Sequence, residues 1–228
     1  MKRIICFYTL IPKTILIGVL LIFLAGCKEN TVTDIDGNVY HTVIIGKSTW
    51  MVENLKVTHY RNGDKIPNVA DSIQLLQHQS GIYCNYNNDT NNATTYGRLY
   101  NYYAVIDERG ICPVGWHIPT GPDWKRIENY LDGQESGGEL KETGTTHWMS
   151  PNTDATNNSG FSALPGGYRE DDGEYNKIGY EADYWSITSG SYWQEMPGRW
   201  SILWNSGLIY SSEEISTPKC MSVRCIKD

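Results

Sequence analysis

The stretch Cys112-Pro113-Val114-Gly115-Trp116-His117-Ile118-Pro119-Thr120-Gly121-Pro122-Asp123-Trp124 constrains the fold of this chain most. Pro113 and Pro119 restrict the backbone on either side of Gly115-Trp116, so the tryptophan is delivered to one fixed place, and packing is its first reading. Thr120 is a good N-cap. Asp123, three residues later, can reach back to the cap amide and opposes the positive end of the helix dipole. Pro122 fits the first turn, and Trp124, Ile127, Tyr130 and Leu131 recur at helical spacing until Gly133 stops the helix.

The pattern around this stretch predicts few helices and many short strands. Asp36-Gly37 is a turn signal before the strand Val39 to Ile45; Gly46-Lys47 then turns the chain into a second arm, Ser48 to Asn54, with Trp50 in the core. Ser72 to His78 is read as a short helix or an irregular segment. Leu99, Tyr102, Tyr103 and Ile106 are spaced for a helix leading into the constrained stretch, and Gly137 to Lys141 starts a short helical turn. Alternating residues over Tyr180–Thr188, Arg199–Trp204, Leu208–Tyr210 and Met221–Ile226 predict an antiparallel sheet, with Asn205-Ser206-Gly207 as a hairpin turn. Helices early and strands late give an α+β class with two main helices. The Asn-rich segments Asn85 to Thr95 and Asn152 to Ser159 are expected to be loops, with too few carboxylates to hold calcium.

The runs Gly97-Arg98-Leu99-Tyr100-Asn101-Tyr102-Tyr103-Ala104-Val105 and Cys112 to Thr120 resemble the Fibrobacter succinogenes major paralogous domain family. So do Leu140 to Trp148, Gly160 to Arg169 and Ser222-Val223-Arg224-Cys225, in the same order, together with Trp50 to Leu55. More distantly, Trp116 to Trp124 and the closing Val223-Arg224-Cys225 are similar to the C-type-lectin-like fold, shared by lectins and formylglycine-generating enzymes. That likeness implies a fold and transfers no function. On this resemblance residues 35–228 form a single domain, with an N-terminal β extension over 35–96 and a lectin-like core over 97–228.

The amino terminus reads as a leader. Lys2, Arg3 and Lys13 precede an apolar run from Ile15 to Leu24 that is short for a membrane span. Leu24-Ala25-Gly26-Cys27 resembles the bacterial lipobox, which implies removal of residues 1–26, acylation of Cys27, and a short tether over 27–34. The expected location is the cell envelope, with the outer membrane favoured and surface exposure open; the membrane is then a partner through the lipidated terminus. The formal charge is −7, and losing the three leader cations brings it to −10, which argues against nucleic acid.

Cys84, Cys112, Cys220 and Cys225 remain for an exported domain, and three pairings are open. The resemblance favours Cys112 with Cys225, both at motif positions of the family. Cys84 with Cys220 then follows by elimination, although Cys220 stands where the family pattern has glycine or a small residue. Zinc is disfavoured, since Cys220-x4-Cys225 lacks a knuckle spacing and the histidines are scattered.

No nucleophile elbow or phosphate loop appears, and the sugar-binding triplets of calcium-dependent lectins are absent. Asp171 and Asp172, in the acidic turn Glu170 to Glu174, are weak metal candidates; a solvated turn is the ordinary outcome, and no cofactor is expected. Sixteen Tyr and eight Trp against three Phe point instead to rings with one polar end at a surface. Tyr192, Trp193 and Trp200 are the candidates for binding a glycan or protein. The expected function is a non-enzymatic surface binding or adhesion module. The alternatives are an enzyme or subunit related to formylglycine-generating proteins, or a purely structural envelope protein.

Overall fold

The computed structural model describes residues 30–71, 79–131, 133–189, 195–213 and 215–228. Among them the strands are β1 (Thr31–Thr33), β2 (Val39–Ile45), β3 (Ser48–Met51), β4 (Tyr83–Cys84), β5 (Leu99–Asn101), β6 (Trp116–His117), β7 (Tyr168–Arg169) and β8 (Tyr175–Asn176). They continue with β9 (Glu181–Ser189), β10 (Glu195–Leu203), β11 (Ile209–Glu213), β12 (Cys220–Ser222) and β13 (Ile226–Lys227). The α-helices are α1 (Thr90–Tyr96), α2 (Tyr102–Val105), α3 (Gly121–Tyr130) and α4 (Gly137–Leu140). One sheet runs β1-β2-β3-β13-β6; the other runs β11-β10-β9-β12-β5-β4, with β7 and β8 branching from β12. The class is α+β, dominated by strands.

The hairpin expected around Gly46-Lys47 is β2–β3, in register from Thr42 opposite Met51 to Ile45 opposite Ser48. Its strands do not stand apart from the rest of the chain. Trp50 pairs with Ile226 of β13, and the Met51 and Leu55 amides donate to the carbonyls of Cys225 and Val223. The C-terminal strand is thus stitched between the start of the domain and the constrained stretch at β6, where Ile226 faces His117.

Three expectations are corrected. Residues 99–106 are not one helix: Leu99–Asn101 form a strand buried between β4 and β12, and only Tyr102–Val105 are helical. Asn101 is the reason, because its side-chain oxygen accepts from the Ala104 amide and makes it an N-cap that cuts the apolar pattern. The Asn-rich segment after Asn85 is not all loop: a 3-10 turn over Tyr86–Asn88 leads into α1, capped by the Asp89 carboxylate on the Asn91 amide. Helix α1 ends at Gly97, whose φ of 79° and close approach to Asn54 leave no room for a Cβ. Finally, part of the expected tether over 27–34 is a strand, since the β-branched Thr31-Val32-Thr33 pair with β2 at the sheet edge. Residues 72–78 lie outside the described residues.

Three hydrophobic clusters lie among the described residues, and the two larger ones hold the sheets together. The first gathers Tyr40, Tyr100, Trp185, Met221 and Val223 around Cys112 and Cys225. The second packs Trp50, Trp124, Trp148, Phe161, Tyr184 and Ile202 between α3 and the long hairpin β9–β10. Trp124 is its hub, 5.0 Å from Trp50, 5.7 Å from Phe161 and 5.4 Å from Tyr184 between ring centroids. Such pairs each contribute about 0.5–1.5 kcal/mol beyond simple burial.

Buried cations tie loops to these cores. The Arg224 guanidinium, fully buried, donates to Asn54 Oδ1 and the Phe161 carbonyl and lies 4.2 Å over the Phe161 ring. Lys141 Nζ donates to the carbonyls of Thr153, Leu203 and Ser206 at 2.5, 3.1 and 2.9 Å. Its three protons meet three acceptors, which is how an ammonium survives burial. Burial still pulls its pKa down to about 8.

Candidate functional site

Helix α3 starts as its sequence dictates. Thr120 Oγ1 accepts from the Asp123 amide at 3.3 Å while Asp123 Oδ2 accepts from the Thr120 amide at 2.8 Å, a complete capping box. The helix buries Trp124 and Ile127 against the hairpin β9–β10. Its other face carries Pro122, Lys125, Arg126 and Asn129, at i, i+3, i+4 and i+7. Across an open groove these residues face Trp200, Ser211 and Glu213 of β10 and β11. Lys125 Nζ sits 2.5 Å from Glu128 Oε2, and Arg126 pairs with Asp123, so the helical rim is cationic but partly compensated. Glu213 lends the opposite wall a carboxylate. An aromatic floor between polar walls suits a sugar ring or an extended peptide better than a compact apolar ligand.

Trp200 is not the exposed ring that the sequence suggested. It is 9% exposed, and its ring stacks on Trp124 with centroids 5.6 Å apart. Alternation along β10 explains this: Trp200 shares its face with Ile202, under α3. Only a margin of the indole reaches the groove. Tyr192 and Trp193 lie outside the described residues, as does Cys27. Tyr184 and Trp185 are fully buried, and Trp204 is partly buried against Tyr180.

Cys112 and Cys225 are joined by a disulfide. The expected bridge between Cys84 and Cys220 is corrected: both are free and buried. Cys84 pairs with Leu99 and Cys220 with Asn101, so their strands flank β5 from opposite sides. Strand β5 runs between them, and both side chains remain thiols. The thiols nevertheless interact on one face. Hydrogen bonding with Cys220 holds the Cys84 thiol below its ordinary pKa, while the same bond and burial push Cys220 well above.

Asp171 accepts from the Ser216 hydroxyl, and Asp172 closes its own turn on the Glu174 amide. Among the described residues no group of three or more His, Cys, Asp or Glu is placed to hold a metal ion.

Two features escaped the sequence reading. The groove wall of α3 was legible as a polar i, i+3, i+4, i+7 stripe, but nothing local says what lies opposite it. Asp183 gave no signal at all. It is fully buried on β9, accepts from Ser201 Oγ at 2.5 Å, and has Arg199 Nε 3.7 Å away. Burial raises its pKa to about 6, against the lowering pull of Ser201 and Arg199.

No curated protein and no solved structure matches the chain. The family model of the Fibrobacter succinogenes major domain matches residues 43–227, from inside β2 to the last strand. The match leaves out β1 and the start of β2 but takes in the rest of both sheets and the groove, and the chain belongs to the Fibrobacter succinogenes major domain family.

Proposed function

We propose that the protein is an exported, lipid-anchored component of the cell envelope, whose C-type-lectin-like domain is a non-enzymatic binding module for a glycan or a protein segment. The observation that carries this reading is the groove between α3 and β10–β11, with the Trp200 margin as floor and Lys125, Arg126, Asn129, Ser211 and Glu213 on its walls. Rings at the base of a groove with hydrogen-bonding groups around them are the usual means of gripping a sugar or peptide. The leader sequence and the Cys112–Cys225 bond are both consistent with an oxidising compartment outside the cytoplasm. The lectin-like assignment finds support in the closure of the chain, where the last strand returns beside the Trp116 strand and is disulfide-bonded to the stretch before it.

A glycan array and a peptide display screen with the wild-type protein test the reading, each repeated with Lys125→Ala/Asn129→Ala. Both residues are exposed, so the variant keeps its fold. Ligands that bind the wild type and lose at least about tenfold affinity in the variant, or 1.4 kcal/mol, support the groove. Ligands bound equally by both proteins would move the site elsewhere, and silence on both screens would sink the binding-module reading.

A further inference from the structure

We infer that the outer face of the five-stranded sheet, at β1 and β2, is the surface the protein lays on the phospholipid bilayer. This rests on the reading that Cys27 is acylated, and it adds which side of the domain the anchor presents to the membrane.

The Asn30 carbonyl accepts from both the amide and the hydroxyl of Thr42, at 2.7 and 3.0 Å. The entering chain is therefore pinned beside β2, two residues from Ile44 and on the same side of the strand. Cys27 is three residues earlier, so its sulfur-bearing residue lies within about 11 Å of that point at full extension. The headgroup layer of one leaflet takes up about 5–8 Å of this reach. What is left is narrower than a helix with its side chains, about 10–12 Å across. A folded partner has no room between this face and the membrane.

The surface at that place matches a bilayer interface. Val32, Thr42, Ile44, Thr49, Trp116 and Lys227 line one shallow concavity on the sheet. Val32 also lines its neighbour, together with Ile35, Arg61, Pro113 and Val114. Val114, Ile44 and Ile35 are 85%, 68% and 54% exposed, the first two being the most exposed large apolar side chains among the described residues. Isolated exposed aliphatics are ordinary, but here all three line the two concavities that share Val32, the first of which also takes in Asn30. The cations Arg61 and Lys227 sit among them, placed for lipid phosphates. The nearby Asp34 carboxylate is turned inward, accepting from the Asp36 and Asn38 amides, the Asn38 side chain and the Tyr40 hydroxyl.

The test uses the full-length protein, purified with its lipid and reconstituted in vesicles of phosphatidylcholine and phosphatidylglycerol. Ile44→Cys, Val114→Cys and, as a control on the other sheet, Tyr210→Cys are each labelled with an environment-sensitive fluorophore. The unsubstituted protein gives the background from its buried thiols. A headgroup-nitroxide lipid should quench the labels at 44 and 114 several-fold more than the label at 210. Equal quenching at all three positions overturns the inference. So does shielding of 44 and 114 from both the lipid quencher and aqueous iodide, which would mean that protein covers the face. Metabolic palmitate labelling of wild type and Cys27→Ser separates the two readings: label on the wild type with equal quenching sinks only the membrane face, whereas no Cys27-dependent label sinks the anchor and the face together.

Discussion

Trp124 of α3 and Trp200 of β10 lie face to face, ring centroids 5.6 Å apart and planes 11° from parallel. The pair joins the helix that the sequence specifies most strongly to the strand whose ring it presented as a ligand contact. Scaffold and candidate site therefore meet in one aromatic stack, and the groove is only as rigid as that contact.

Trp124→Ala should destabilise the domain by about 3–5 kcal/mol, since it empties the hub of a core whose members Trp50, Phe161 and Tyr184 all touch it. Urea unfolding followed by far-UV circular dichroism measures the loss. A change under about 1 kcal/mol would mean that the core collapses around the gap or is not organised on Trp124.

The Cys112–Cys225 bond closes a loop of 113 residues in sequence separation. Cys112→Ser/Cys225→Ser should lower stability by about 4–5 kcal/mol in the chain-entropy model, with native-state strain reducing the figure. Thiol titration adds a second check. The chain without residues 1–29, and so without Cys6 and Cys27, unfolded in denaturant without reductant, should expose two reactive thiols, Cys84 and Cys220. Finding none would mean that the second bridge forms in the exported protein.

Asp183 sets a pH dependence with a definite sign. Its folded pKa is raised from 3.8 to about 6, so between these values the folded state holds more protons than the unfolded state. Stability must fall as pH rises through this window, by up to about 3 kcal/mol from this group alone. Asp183→Asn should remove that slope and leave the protein more stable than wild type above pH 7. Denaturation midpoints at pH 4.5, 6 and 8 decide it; parallel curves for the two proteins would show that Asp183 is solvated rather than buried.

Lys141→Met replaces a side chain of similar length but deserts the carbonyls of Thr153, Leu203 and Ser206. Leaving buried acceptors unpaired costs about 1–3 kcal/mol apiece, offset in part by removing a buried charge. A net loss of about 2–4 kcal/mol is expected by equilibrium unfolding. Faster amide exchange near Thr153 and Ser206 would locate the loosening, and unchanged stability would mean that water replaces the ammonium.

Local chemistry alone determined the capping box of α3, the β2–β3 hairpin, the strands β9 to β11 and the core place of Trp50, because caps, turns and alternation act within a few residues; the expected strand Met221–Ile226 instead divides into β12 and β13 in different sheets, and β12 pairs with β9 in parallel. The family motifs carried the Cys112–Cys225 pairing. What lay beyond local chemistry was decided by partners far along the chain. Leu99–Asn101 became a strand because β4 and β12 flank it. Trp200 went under α3 because register on β10 chose its face. Arg224, Lys141 and Asp183 are polar letters with no local pattern, and only the packed fold shows that their partners sit 12 to 170 residues away, or why Asp183 remains short of them. The groove has the same origin: its helical wall is a stripe in the sequence, but its floor and far wall arrive from another sheet. Sequence order fixes spacing along one element, and burial and charge are properties of what that element meets.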